Sequence, residues 1–347
     1  FHGMIADIIY GNARGVYFPG QTVEGHVKLS VPDSINLEAI NLQCCGSARV
    51  FWSEGTGDDS STYSEMETYF DAKTVLLEKK PYEHKNLKLL PGVYMYPFSF
   101  QLPLEIPNSY KGFCGWVRYE VTVTVVRPSS SNLSKSVPFT VISHLDLNTL
   151  PYANTIGIAE NEKTVKRFFG ISGPVRATIT TDRLGYVPGE AITFTAEIHN
   201  DSNTDMRPCI AALSMSLCCH AYGRVWKGSY ILCKLVGPEI PRGRSCLWEK
   251  QRLPIPPLPP SFLQGCKLMD IEYYISITVK PYGHSSSLFV PLMIVIGTIP
   301  LKTATHIIPQ LDFIQGQFAE KNLSTLYPFY SFKSLLVQSQ LGSSLTP

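Results

Sequence analysis

The sequence contains none of the short signatures that usually carry catalysis. Within its 347 residues there is no GxSxG, HExxH, GxxxxGK[ST] or GxGxxG. The sequence-level case for a serine hydrolase, a zinc protease, a P-loop enzyme or a dinucleotide enzyme is therefore absent. No CxxC occurs among the nine cysteines either. Their number is odd, and two pairs, Cys44–Cys45 and Cys218–Cys219, are adjacent in sequence. Neighbours on a strand point to opposite faces, so neither pair aims at one ligand. The expectation is reduced core thiols in a reducing compartment, with no zinc site and no disulfide framework. His220 shares a strand face with Cys218 but has no carboxylate near it in sequence, and reads as a core or edge histidine.

Long one-sided stretches are also missing. Net charge is +2. The richest basic stretch, Lys73–Lys88, holds five lysines and His84 diluted by Glu78 and Glu83. It reads as a solvated loop and hairpin, and nucleic-acid binding is disfavoured. The most apolar run, "LFVPLMIVIGTIPL" (Leu288–Leu301), is too short to span a bilayer and contains Pro291, Gly297 and Pro300. It reads as a buried strand with a bend. Sequons stand at Asn132, Asn200 and Asn322, but no secretory leader pattern opens the chain; Phe1 in place of Met leaves a removed N-terminus open. No long amphipathic helical pattern is found; the best stretch, Asn161–Phe169, is short.

What the chain does have is alternation. Apolar residues at every second position mark Val23–Val31, Tyr119–Val125, Ile192–Ile198 and Ile271–Val279. A period of two with polar residues between them is an antiparallel sheet with one wet face. The chain is also duplicated. "YFPGQTVEGHVKL" from Tyr17 and "YVPGEAITFTAEI" from Tyr186 share Tyr-x-Pro-Gly, then an acid or its amide, then alternation. "VRYEVTVTVVRP" (Val117–Pro128) resembles "IEYYISITVKP" (Ile271–Pro281). Proline presets φ and the following glycine supplies the positive φ of a type II turn, so the shared motif is a turn and no phosphate loop. The halves read as two versions of one β-sandwich. Hydrophobic content of 44% and charged content of 17% suit two globular cores. The polar stretch Asp146–Gly173 reads as the linker, and "SEGTGDDSSTYSEME" (Ser53–Glu67) as an exposed acidic loop. The expected division is residues 1–150, a linker at 151–172, residues 173–301, and a tail at 302–347. "PIPPLPPSF" (Pro254–Phe262) has the composition of a polyproline ligand, but its place just before a strand favours an ordered inter-strand segment.

These features together resemble the α-arrestins, the arrestin domain-containing proteins, over roughly residues 5–301. The stretches that carry the resemblance are "VYFPGQTVEGHV", "CGSARVFW", "YPFSFQLP", "SYKGFCGWVRYEV", "LDLN", "SGPVRATITTDRLGYVPGEAI", "PPSFLQGCKLMDIEYYI" and "VPLMIVIGTIPL". Singly each is weak; their order across both halves is specific. The resemblance implies an all-β fold of two tandem immunoglobulin-like, arrestin-type sandwiches of the seven-stranded type, with N- and C-domains on a short linker. It implies a non-enzymatic cytosolic adaptor without cofactor or metal. Such an adaptor bridges membrane-protein cargo to WW-domain HECT-type ubiquitin ligases and the endosomal sorting machinery, with plasma-membrane and endosome association. The alternatives are an endosomal-coat-type scaffold of the same fold without ligase recruitment, and a surface adhesion sandwich. The last draws on Cys44 or Cys45, Trp52 and Cys114 at loosely immunoglobulin-like spacing, but lacks the expected tyrosine, since that position is Gly112.

Two site candidates follow. One branch of the family contacts thioredoxin. Here Cys246, in "PRGRSCLWE" beside Arg242 and Arg244, is the candidate redox thiol, because nearby cations lower a thiol pKa. The tail lacks the PPxY of many relatives; its nearest approach is "YPFY", in which Pro328 and Tyr330 keep the spacing and Tyr327 replaces the first proline. Consecutive prolines pre-form the polyproline II shape, so this replacement removes a packing group and much of the preorganisation. A tail peptide spanning 302–347 is expected to bind an isolated ligase WW domain at about hundreds of micromolar, and Tyr327→Pro to tighten binding about tenfold. A fluorescence titration decides this; low-micromolar binding by the native peptide, lost in Tyr330→Ala, would show full ligase recruitment instead.

Overall fold

Alternation along the chain becomes alternation of burial. The apolar positions on one face of Val23–Val31, Tyr119–Val125, Ile192–Ile198 and Ile271–Val279 are all buried, most of them completely. The computed structural model describes residues 4–55, 60–79, 87–128, 131–166, 170–283 and 286–302. Within them there is no α-helix, only two short 3-10 turns at Leu147–Thr149 and Pro151–Asn154.

The first half supplies β1 (Ile5–Tyr10), β2 (Val16–Tyr17), β3 (Thr22–Val31), β4 (Ile35–Leu37), β5 (Ala39–Glu54), β6 (Ser61–Glu78), β7 (Leu87–Leu89), β8 (Gly92–Gln101), β9 (Tyr110–Lys111), β10 (Gly115–Val126) and β11 (Leu133–Val141). One sheet runs β1-β3-β8 and the facing sheet β2-β11-β10-β5-β6, with β9 on β10 and a small β4-β7 ladder. The second half supplies β12 (Gly157–Lys166), β13 (Ile171–Thr181), β14 (Gly185–Tyr186), β15 (Ala191–Asn200), β16 (Ile210–Ala221), β17 (Arg224–Val236), β18 (Arg244–Pro254), β19 (Met269–Val279) and β20 (Leu288–Ile296). Its sheets run β12-β13-β15-β18 and β14-β20-β19-β16-β17. The result is two tandem β-sandwiches. Short strands such as β2, β9 and β14 add to the seven-strand type implied by the resemblance.

The duplication extends to atoms. Pro19-Gly20 and Pro188-Gly189 occupy type II turns, closed by Gln21 N–H to the Phe18 carbonyl and Glu190 N–H to the Val187 carbonyl, both 3.1 Å. Gly20 has φ +80° and Gly189 +90°. The acid-or-amide position is explained as well. Gln21 Oε1 accepts from the Phe18 N–H and Glu190 Oε2 from the Val187 N–H, both at 2.9 Å, so the side chain seals the turn it follows. The preceding strands, β2 and β14, each pair parallel with the last strand of their half, β11 and β20. The tyrosines of the second repeat are equivalent too: Tyr119 donates to the Pro107 carbonyl at 2.6 Å and Tyr273 to the Pro259 carbonyl at 2.8 Å.

Two expectations are corrected. Gly157–Lys166, read as part of the linker, is strand β12, paired with β13. It looked irregular because it is a sheet edge whose side chains are mostly exposed, so little alternation was selected. The true connection runs through the two 3-10 turns and is tied to the second sandwich. Leu145 N–H donates to Thr298 Oγ1 at 2.7 Å and Asn148 Nδ2 to the Pro300 carbonyl at 2.9 Å. Leu147 and Ala153 also join Val187, Val295 and Leu301 in a small satellite core. Finally, most of Ser53–Glu67 is hairpin: β6 pairs with β5 from Ser61 onward, with Trp52 stacked on Tyr63 at 5.5 Å. Short polar side chains there bond across the strands, as Ser53 does with Thr62 at 3.1 Å, which a composition-based reading takes for loop.

Gly20→Val and Gly189→Val should each destabilise their own sandwich by about 1–2 kcal/mol or more, because a β-branched side chain does not tolerate positive φ. At Gly20, Leu104 must also move, since its Cδ2 lies 2.6 Å from where a Cβ would stand. Urea denaturation checks this; unchanged midpoints in both variants would contradict it.

Candidate functional site

The residues that set how the two sandwiches present themselves lie at the seam between them. From the first sandwich come the loop 103–114, the start of β10 and the middle of β6. Tyr119 anchors that loop from inside: its ring is fully buried, packed near Phe70 at 6.0 Å and Phe139 at 5.8 Å, and its hydroxyl holds the Pro107 carbonyl. Beyond Pro107 the loop delivers Tyr110, Phe113 and Cys114. From the second sandwich come the ends of β16 and β17 and the segment Ser261–Met269.

Several contacts close the seam. Phe113 and Trp226 stand 6.1 Å apart. Glu65 Oε2 accepts from the Tyr222 N–H at 2.8 Å and Glu67 Oε2 from the Lys267 N–H at 3.0 Å. Tyr222 and Gly223 both have positive φ, 49° and 75°, the pattern of a two-residue hairpin turn that follows strand twist. That turn points the Tyr222 amide at Glu65. Gly115 and Gly265 permit close approach: a Cβ on Gly115 would lie 2.7 Å from Met269 Sδ, and one on Gly265 would touch Pro107 at 3.5 Å. Cys266 packs beside Tyr69, and burial raises the thiol of Cys266 and the hydroxyls of Tyr69 and Tyr119, which are thus neutral near pH 7.

Cys114 and Cys219 are joined by a disulfide across the seam, 105 residues apart in sequence. The expectation of reduced thiols throughout is thus corrected for this pair, and seven cysteines remain free. Nothing in the spacing could reveal it, because only docking of the two sandwiches brings these strand ends together. Among the free thiols, burial pushes Cys44 and Cys209 up to about 12, so both are inert at neutral pH.

Cys246 lies in β18 opposite Ile198, on the same inward side as the buried Trp248. Burial raises its thiol, and neither Arg242 nor Arg244 offsets that. The expected lowering by these arginines is not seen, because they are exposed while the sulfur faces the sandwich. Pro328 and Tyr330 lie outside the described residues. "PIPPLPPSF" is an ordered crossing segment whose Ile255, Leu258 and Ser261 are buried.

One surface feature was not apparent from overall charge. Strands β17 and β18 are the outer edges of their two sheets and meet where Cys233 Sγ reaches the Pro254 carbonyl at 3.2 Å. Residues 224–254 carry seven Lys and Arg against two Glu, a net of five positive charges in a chain whose total is +2. None of the seven forms a salt bridge among the described residues. In sequence these charges are spaced out; the fold gathers them on two neighbouring edge strands, with Asp270 of β19 across Cys218 from Lys227.

Two β-sandwiches fused through a tight seam, with a basic flank and free edge strands, define a two-domain β-sandwich scaffold. Residues 6–148 match the family described as arrestin (or S-antigen), N-terminal domain, and residues 171–301 match its C-terminal domain. The chain is 33% identical to arrestin domain-containing protein 4 of Homo sapiens over 295 residues, covering 83% of this chain and 69% of that protein. It is 30% identical to arrestin domain-containing protein 1 of Rattus norvegicus over 275 residues, covering 79% and 60%. With arrestin domain-containing protein 17 of Caenorhabditis elegans the identity is 28% over 309 residues, covering 85% and 70%. The chain belongs to the arrestin domain-containing protein family.

Tyr119→Phe should lower stability by about 1–3 kcal/mol, because it leaves the Pro107 carbonyl buried without a donor while keeping the ring. Chemical denaturation measures the loss. An effect no larger than a surface Tyr→Phe change would show that the hydroxyl does not anchor the loop.

Proposed function

We propose that this chain is a non-enzymatic cytosolic adaptor of membrane-protein trafficking that works at the plasma membrane and endosomes. Family membership supports the adaptor role. The observation that carries the membrane setting is the basic flank of β17 and β18. An anionic cytoplasmic leaflet attracts such a cluster with about 1 kcal/mol per Lys or Arg near the surface, within a Debye length. The flank then orients the scaffold so that its remaining edges and loops meet the cytosolic tails of cargo. Among the described residues no helix is long and apolar enough to cross a membrane, so on this reading attachment is peripheral. Hand-over to a WW-domain ubiquitin ligase falls to Pro328 and Tyr330, and a thioredoxin contact to Cys246. Cys246 is half-buried and burial raises its thiol, so its thiolate content at neutral pH is low.

Co-sedimentation of the full chain with phosphatidylserine vesicles tests the membrane setting. Binding is expected at low salt, weaker at high salt, and absent with pure phosphatidylcholine. Lys227→Glu with Lys234→Glu should weaken it at least about tenfold, since both side chains are exposed and charge reversal adds repulsion. Equal binding of the double variant and the parent would overturn the assignment of this flank.

A further inference from the structure

We infer that the Cys114–Cys219 disulfide is a reversible clamp on the seam, cleaved by a dithiol reductant, and that its cleavage frees the two sandwiches to change their relative orientation. The inference stands independently of the adaptor reading. Each sandwich has its own hydrogen-bonded sheets and its own buried side chains. The crosslink lies between them, joining the last residue before β10 to Cys219, third from the end of β16. The sandwiches are otherwise connected covalently only by the backbone after β11, which is held to the first sandwich through Ile142, Ser143 and His144 and to the second from Leu145 onward. Two covalent links close a ring and hold the docking. One link is a hinge.

The non-covalent seam has a buried apolar layer, continuous with both cores through Tyr110, Cys114, Cys219 and Met269. Its rim holds two single hydrogen bonds from exposed amides to Glu65 and Glu67 and the Phe113–Trp226 ring contact. The rim contacts part without unfolding either core, and the disulfide then holds the buried layer closed. The thiol inventory points to reversibility. Seven cysteines stay free beside this one bond, a composition suited to a reducing setting, where a disulfide that forms is usually transient or redox-sensing.

A thiolate of the dithiol attacks one of the two sulfurs, the Cys114–Cys219 bond breaks, and the departing thiolate takes up a proton. The second thiol of the dithiol then resolves the mixed disulfide and releases the other cysteine as a thiol. Two electrons and two protons pass to the protein, and the dithiol becomes a cyclic disulfide. Cys114 and Cys219 are both fully buried, so attack waits for the seam to open, and anything that pries the seam apart hastens reduction.

The full chain, purified without reductant, is compared before and after dithiothreitol by acid-quenched differential alkylation and by hydrogen–deuterium exchange. Before treatment Cys114 and Cys219 should resist alkylation, and after it both should be labelled. Amide exchange in peptides covering 105–114, 219–228 and 262–269 should then rise at least about tenfold. Strands β3 and β15 should keep their protection, and oxidised glutathione should restore the first state. Cys114→Ser should show the faster seam exchange with no reductant; if that variant does not fold, the comparison within the parent chain stands by itself. The inference fails if both cysteines are alkylated from the start. It also fails if reduction leaves seam exchange unchanged, or if β3 and β15 lose protection with it, which would make the bond a prop of the fold.

Discussion

The hydroxyl of Tyr119 holds the Pro107 carbonyl inside the first sandwich at 2.6 Å, and the geometry between the sandwiches depends on this bond. A buried carbonyl without a donor is costly, so the loop following Pro107 has one satisfactory position. From that position it places Tyr110, Phe113 and Cys114 against the second sandwich. The equivalent tyrosine, Tyr273, holds Pro259 in the same manner and positions the segment that carries Cys266 and Lys267. Each half of the seam is thus aimed by a tyrosine in the interior of its own sandwich. Exposed contacts need only complete what the two anchors define.

The duplicated architecture shows how one solution was reused and then diverged. The Pro-Gly turns and their Gln21 and Glu190 seals are common to both halves. The buried tyrosines of the turn motif differ. Tyr186 donates to Asp182 or the Arg183 carbonyl, with the Arg183 guanidinium over its ring at 4.7 Å. Among the described residues the Tyr17 hydroxyl has no hydrogen-bond partner. The second half has therefore built around this group a side-chain and cation support that the first half lacks among the described residues.

Charge is distributed as unevenly as the repeat is even. The basic flank belongs only to the second sandwich, and the carboxylates that bridge the seam come from β6 of the first. A scaffold of this kind can use one sandwich against an anionic surface and vary its angle to the other. The linker is fastened to the second sandwich by Leu147, Asn148 and Ala153, while Ile142 and Ser143 bond to Tyr17 and Asn108 of the first and His144 stacks on Phe18, which confines bending to the His144–Leu145 junction. Rigid units joined at a short hinge transmit a change at the seam over their whole length, because packed cores shift as bodies and do not deform.

Much of this was legible in the order of residues. Alternation at Val23–Val31 or Ile271–Val279 reports a face toward a core, since side chains on a strand point to opposite sides in turn. The Pro-Gly pairs report their turns, since proline and glycine restrict or permit φ wherever they stand. The matched stretches, taken in order, pointed to the family. Edge strands such as β12 were obscured, because an exposed edge requires no apolar pattern. The basic flank was obscured as well, because its charges are dispersed over 31 residues and align only when β17 and β18 become neighbours. The seam was beyond reach entirely: Cys114 with Cys219, Glu65 with Tyr222 and Glu67 with Lys267 are pairs separated by more than a hundred residues. Local sequence determines strand, turn and inward face because those depend on a residue and its near neighbours. Which sandwich faces touch, and therefore which thiols meet, was decided only by tertiary docking, where the partner of each group is set by shape complementarity across the whole molecule.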